Sequence, residues 1–393
     1  MKLIIIAHKL KVLFENLIIN IVKRMVKVTD KMVFISYPDY SDNALALSEY
    51  ILRHDDLKKY RIYWVVDEPS LYNKNCCSKV EFLAKRNRLG FTPLKTIKEH
   101  LQAKYLFATH AFLIPEECSN KDQNYILLWH GCGFKTKVGT NYTLFDKALV
   151  PGSLFVESKS RYWNVSPDKI LDKGYPRYDW MLHPSEEAKK YFGLLKNGYF
   201  KVVFWMPTFR NSVSNKAYPE DSISQFPILA KKEDWNELNC YLSSHNILLV
   251  LKLHNSQKAY SIPFENYTNV KVLNNKDLEM HGVKLYELFP FSDGLITDYS
   301  SVSFDYLVVD KPIGYTLDDF EKYKSTRGFI FDNPLEYMPG HHIYNFQDLR
   351  KYLIDIVMEV DDYNLKRDNL RSIAVNVNKE SYCKQIINCL EIV

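Results

Sequence analysis

From Lys31 onward, short apolar runs alternate with amphipathic stretches, the rhythm of strands followed by helices. Met32-Val33-Phe34-Ile35-Ser36 reads as a buried strand, followed by a turn and a helix over Asn43 to Leu52. Arg61 to Val66 is the next strand, Thr96 to Gln102 reads as helical, and Tyr105 to Thr109 as extended. Tyr125 to Leu128 is a strand that stops just before His130, and Lys147 to Val150 is another. The pattern restarts after the Gly193 to Gly198 region with a strand over Lys201 to Met206. A polar loop from Asn211 to Phe226 and a helix from Asp234 to Ser244 follow. Strands are then expected at Ile247 to Lys252, Val270 to Leu273 and Gly294 to Thr297.

Such alternation predicts parallel, doubly wound α/β sheets with helices on both faces. Two series, with a boundary near residue 195, predict a GT-B-like pair of Rossmann-like domains facing an interdomain cleft. The expected divisions are 31–194 and 195–375, with a C-terminal helix over 376–393. Neither a solenoid-length repeat nor a low-complexity tract interrupts them.

The first 30 residues follow a different pattern. On a helical wheel Lys2, Lys9, Asn16, Asn20, Lys23, Arg24 and Lys27 gather on one side. Leu3, Leu10, Phe14, Leu17, Ile18, Ile21, Val22 and Met25 cover most of the other, interrupted by Lys11 and Glu15. The apolar run is too short to span a bilayer, and no small-residue cleavage site follows it. Two readings stay open: an amphipathic helix lying on a membrane surface, or a helix packed on the protein's own surface or a second copy.

Length and composition change this picture little. The 393 residues suffice for two domains with sizeable cores, and 46% hydrophobic with 25% charged residues is ordinary for a globular protein. A formal charge of +5 with no dense basic tract argues against nucleic acid and suits polyanionic substrates. Seven cysteines without a Cys-x-x-Cys pair suggest neither a disulfide framework nor zinc, but reduced thiols in a cytoplasm. Cys132 is expected to be a small buried filler.

Candidate chemistry lies at the carboxyl ends of the predicted strands, where open α/β sheets bind ligands. Leu128-Trp129-His130-Gly131, Met206-Pro207-Thr208-Phe209-Arg210, Lys252-Leu253-His254 and Asp298-Tyr299-Ser300-Ser301 all occupy that position. The last runs straight into a predicted helix at Val302, so unpaired N–H groups and two hydroxyls would form a phosphate cradle. An ordinary N-cap explains the same residues. No His-x-x-x-His or Asp-x-Asp spacing offers a metal site, and metal independence with no cofactor is the expectation.

With Lys173-Gly174-Tyr175-Pro176-Arg177-Tyr178-Asp179 and Arg327-Gly328-Phe329, these segments resemble, in order, the CDP-glycerol glycerophosphotransferase family. These are the teichoic-acid primases and polymerases and their capsule-building relatives. The resemblance covers roughly half the chain. It implies an acceptor domain followed by a CDP-donor domain, and transfer of glycerol phosphate or ribitol phosphate with release of CMP. The acceptor would be a lipid-linked glycan or polyol-phosphate chain at the cytoplasmic face of the membrane. On this reading His130 is the base that takes the acceptor proton, and His254 is the second catalytic residue. Arg210, Asp298, Ser300, Ser301, Asp305 and Arg327 fall on the donor side, with Asp305 directed at a ribose hydroxyl or left as a solvated acid. Lys135, Lys173 and Arg177 fall on the acceptor side, and Asp179 reads as part of a turn ion-pair network. Asn255, where relatives commonly have Pro, and Cys132-Gly133-Phe134-Lys135 depart from the family pattern. Two alternatives stand beside it: a nucleotide-sugar glycosyltransferase releasing a nucleoside diphosphate, and a non-catalytic membrane-associated scaffold of polymer assembly.

Overall fold

The computed structural model describes residues 2–72, 79–114, 118–136, 145–208, 226–229, 231–253 and 264–392, with the side chains of residues 2–8 set aside. Among these, the strands form two sheets. The first contains β1 (Thr29–Ile35), β2 (Arg61–Val66), β3 (Val80–Ala84), β4 (Ala103–Ala108), β5 (Asn124–Leu127), β6 (Lys147–Leu149) and β7 (Ile170–Leu171). Its order is β3-β2-β1-β4-β5-β6-β7, and every pairing is parallel. The second contains β8 (Lys201–Trp205), β9 (Ile247–Leu251), β10 (Val270–Val272), β11 (Gly294–Thr297), β12 (Ile313–Thr316) and β13 (His341–Ile343). Its order, β10-β9-β8-β11-β12-β13, is again wholly parallel. The chain is therefore an α/β protein of two doubly wound sheets, the GT-B-like class expected. In both sheets the winding reverses beside the first strand, at β1/β4 and β8/β11, and such a reversal opens a crevice at the strands' carboxyl ends.

Strands buried on both faces explain the continuous apolar runs. Leu248, Val250 and Phe204 join a core that continues into the first domain, whereas Leu249, Leu251, Val203 and Trp205 join a second cluster on the opposite face. Sequence reading misses β3, β7, β12 and β13. They are short, and Val80-Glu81 and His341-His342 dilute their apolar signal.

The helices that bear on the site begin with α1 (Lys2–Met25), α2 (Asp42–Arg53), α3 (Leu94–Gln102), α4 (Val156–Trp163), α5 (Tyr178–Leu182) and α6 (Glu186–Lys196). The second domain adds α7 (Lys232–Ser244), α8 (Asn275–Met280), α9 (Val302–Asp305), α10 (Phe320–Thr326), α11 (Phe346–Met358), α12 (Asn364–Ala374) and α13 (Tyr382–Cys389). The helix expected after Ser301 is thus corrected to a single turn, α9, continued by a 3-10 turn over Tyr306–Val308. Asp310 has a positive φ of 50°, and Pro312 follows, so the chain cannot wind on. The polar loop expected over 211–226 lies, except for the buried Phe226, outside the described residues.

At the other end α13 returns to the first domain. Asp179 caps it, accepting from the Tyr382 N–H at 2.5 Å, the Cys383 N–H at 3.1 Å and the Ser381 hydroxyl at 2.7 Å. The charged turn around Asp179 therefore has a structural role.

Helix α1 packs on the protein itself. Ile19 is buried with Ile97, Leu101, Ile114 and Cys118, and Ile18, Val22 and Val26 pack around them. The charges that broke the apolar side of the wheel fasten this contact. Lys11 donates to the Gly90 carbonyl at 2.5 Å, and Glu15 pairs with Arg86 at 2.6 Å and accepts the Thr92 N–H at 2.8 Å. A second apolar face remains open, with Leu10, Leu13, Phe14, Leu17, Ile21 and Met25 all exposed.

Candidate functional site

The His130 loop leaves β5 through Leu128 and Trp129. Trp129 adopts a positive φ of 56° and Gly131 one of 148°, so the chain doubles back sharply around His130. Asn43, near the start of α2, holds this bend by donating its amide to the Trp129 carbonyl at 2.8 Å. His130 Nδ1 lies 3.3 Å from the Thr109 carbonyl. Only the Nδ1–H tautomer can make that bond, so the Nε2 lone pair is left as the basic position. Burial is the main cause that pushes the His130 pKa down to about 3, with His110, Arg177 and Lys159 adding to it and the Thr109 bond opposing. His130 is therefore a neutral imidazole at neutral pH. An anion arriving beside it would raise its basicity.

His110 was missed by sequence reading. It follows β4 at the reversal point, and its ring stacks on that of His130, with centroids 4.0 Å apart and planes 5° apart. The signal for it was present, since Thr109-His110 ends a predicted strand just as His130 does.

The Asp298–Ser301 loop runs from β11 to α9. Asp298 is fully buried; it accepts the Thr208 N–H at 2.8 Å and also the Thr208 hydroxyl. These bonds tie the carboxyl ends of β8 and β11 together. Ser301 makes no side-chain capping bond, so the plain N-cap reading does not describe it. Both Ser300 and Ser301 are partly exposed. Because α9 spans four residues, its dipole is slight, and the two hydroxyls are the better anion donors.

The two loops touch. A Cβ added to Gly131 would lie 2.6 Å from Ser301 Oγ, and one added to Gly133 would lie 3.0 Å from the Ser301 nitrogen. A side chain at either position would crowd Ser301, and the loops approach this closely because both residues are glycine. Beyond Gly133, Lys135 forms an antiparallel bridge with Phe329, the Ile330 N–H donates to the Phe134 carbonyl at 2.8 Å, and Thr136 donates to the Arg327 carbonyl at 2.8 Å. The Arg-Gly-Phe segment is thereby stitched to the His130 loop, bringing Arg327 and Lys135 into one neighbourhood.

Arg177 and Asp305 need correction. Arg177 is 3% exposed and Asp305 is 1% exposed, so neither is placed to meet substrate. Asp305 accepts from Arg177 at 2.7 Å, Tyr178 at 2.5 Å and Tyr286 at 2.7 Å. Arg177 also pairs with Asp42 at 2.6 Å and donates to the His130 carbonyl at 3.0 Å. This buried strut joins the His130 loop to the helix after Ser301. A carboxylate this deeply buried, with three protein donors already on it, neither meets a ribose hydroxyl nor is solvated. Lys173, expected on the acceptor side, pairs with its neighbour Asp172 at 3.0 Å. Cys132 is buried beside the Tyr175 hydroxyl, and burial pushes its thiol pKa up, as a filler's would be. His254, Asn255 and Arg210 lie outside the described residues. Among the described residues no group of three His, Cys, Asp or Glu could hold a metal ion.

A profile of the family described as CDP-Glycerol:Poly(glycerophosphate) glycerophosphotransferase matches residues 17–391. The teichoic acid glycerol-phosphate transferase of Staphylococcus aureus is 24% identical over 91% of this chain and 91% of its own. The teichoic acid ribitol-phosphate primase of Bacillus spizizenii is 25% identical over 79% of this chain and 78% of its own. Among solved structures, the wall teichoic acid polymerase TagF superposes with a TM-score of 0.74 at 22% identity, covering 98% of this chain and 96% of that one. It shares the fold.

Proposed function

Because the chain belongs to the CDP-glycerol:poly(glycerophosphate) glycerophosphotransferase family, we propose that it moves a phosphoalditol unit from CDP-glycerol or CDP-ribitol to an acceptor hydroxyl across this cleft. It is an enzyme of teichoic-acid-type synthesis. The acceptor oxygen attacks the phosphorus that carries the alditol while His130 Nε2 takes its proton. The bond from that phosphorus to the bridging oxygen breaks, and CMP leaves. The Ser300 and Ser301 hydroxyls donate to the charge that collects on the departing phosphate, and Arg327 and Lys135 lie close enough in the fold to add to the same field.

The observation that carries this reading is the contact of Gly131 and Gly133 with Ser301. It sets the proton-accepting loop directly against a pair of hydroxyls suited to a phosphate. Incubating the protein with CDP-glycerol, CDP-ribitol and nucleotide sugars, with a polyol-phosphate or lipid-linked acceptor, tests it. CMP release from a CDP-alditol is the expected result. Release of a nucleoside diphosphate from a nucleotide sugar would establish the glycosyltransferase alternative, and no turnover of any donor would favour the scaffold.

We further propose that the open face of α1 docks on the inner surface of the cell membrane, where a lipid-linked acceptor resides. Among the described residues no helix is long and apolar enough to cross a membrane. Leu10, Leu13, Leu17, Ile21 and Met25 supply an apolar stripe, with Lys9, Arg24 and Lys27 exposed near it to meet anionic headgroups. Deleting the helix would uncover Ile97 and Leu101, so substitution is the cleaner test. Leu13→Ser with Leu17→Ser and Ile21→Ser should weaken sedimentation with anionic vesicles at least tenfold and spare turnover of a soluble acceptor. Unchanged vesicle binding would exclude this face.

A further inference from the structure

Lys252 is a lysine of the cleft whose ammonium group meets no partner among the described residues. The residue is 9% exposed, yet among the described residues no carboxylate or hydrogen-bond acceptor meets its ammonium group. The fold provides for its other sequestered lysines. Lys201 pairs with Glu359 at 2.8 Å, and Lys311 donates to the carbonyls of Pro290 and Ser292 at 2.7 and 2.5 Å. A buried charge with no partner is costly, so such a site either holds a neutral amine or awaits an anion.

Its position favours the anion. Lys252 follows β9 at the carboxyl edge of the second sheet, and its N–H donates to the Trp205 carbonyl at 3.0 Å. Trp205 ends β8; the next residue, Met206, donates to the Ile296 carbonyl at 2.8 Å and accepts from the Thr297 hydroxyl at 2.8 Å. Lys252, Thr208 and the Asp298–Ser301 loop therefore stand side by side on three adjacent strands. Leu251 and Leu253 pack into the outer cluster, so alternation turns Lys252 to the opposite face, the one that carries Leu273, Leu278 and Phe289 toward the first domain.

We propose that Lys252 is a donor-binding residue whose ammonium takes the diphosphate of the CDP-alditol and remains on the phosphate of CMP after transfer. This rests on reading the second domain as the donor domain. A nucleoside diphosphate is the chemistry that fits: a compact double anion beside the Ser300 and Ser301 hydroxyls, with Asp298, the acid of the same loop, already engaged by Thr208. Burial alone lowers the lysine's pKa, with no described charged group adding to or opposing it, and His254, two residues on, lies outside the described residues. Anion binding reverses that effect, so the complex should take up a proton wherever the free amine is partly neutral.

Calorimetric titration of the full chain with CDP, CMP and cytidine tests this. Charged hydrogen bonds contribute enough that Lys252→Met should weaken CDP by about 10–100-fold, leave cytidine unchanged and not lower thermal stability, while Lys252→Arg recovers part of the loss. For the unaltered protein, CDP binding at pH 9 in buffers of different ionisation enthalpy should show net proton uptake that Lys252→Met lacks. Wild-type CDP affinity in the methionine variant overturns the assignment and leaves the donor domain standing. Failure of the unaltered protein to bind CDP removes the donor-domain reading, and the assignment with it.

Discussion

Replacing His130 by alanine is expected to lower the rate of CMP release by about 10²–10⁴-fold, the usual loss on removing a general base. CDP affinity should change little, because a base that acts on the acceptor proton touches little of the nucleotide. The loss should appear in kcat as well as kcat/KM, since the proton is taken only as the new bond forms. The pH profile carries a second signature. A free-enzyme imidazole held down to about 3 stays neutral as pH falls from 7 to 5, so no acid limb near 6.5 should arise from His130 in kcat/KM. Near-wild-type turnover by the alanine variant would remove His130 from the mechanism.

The largest effect on stability is expected at Arg177. Substituting methionine leaves Asp305 buried with a negative charge and only two tyrosine hydroxyls against it, and releases Asp42 and the His130 carbonyl. Breaking a buried ion pair from one side costs about 3–5 kcal/mol, to be read from urea unfolding. Because the strut ties the His130 loop to the segment after Ser301, turnover should fall with it, even though Arg177 is buried. Arg177→Met combined with Asp305→Leu should cost less than the sum of the two single changes, since no uncompensated charge then remains between them. Strict additivity would mean the two residues act separately.

Several features of the site were legible in the chain because they are local. Apolar runs ending in Trp129-His130-Gly131 and in Asp298-Tyr299-Ser300-Ser301 placed both loops at strand ends, and β5 and β11 stop where those runs stop. Asp305 was misjudged for the opposite reason. A carboxylate in the first turn of a predicted helix looks like a solvated or ligand-facing acid, and nothing nearby in sequence announces a partner 128 residues away. Arg177 likewise looked like an acceptor-side cation because its two carboxylates come from different domains. The α1 wheel was read as one apolar side marred by Lys11 and Glu15; it is two apolar faces, one fastened to the protein through those charges and one open.

The sequence by itself determined the α/β class, the position of most strands and the family, because periodicity and ordered motifs are properties of neighbouring residues. Tertiary structure decided which polar groups meet. Folding brings Gly131 against Ser301, stacks His110 on His130, sets three donors on the buried Asp305 and leaves Lys252 without a partner among the described residues. Those pairings depend on how two sheets and their loops close on each other. A buried charge is satisfied or stranded by groups distant in the chain, and no local pattern encodes that distance.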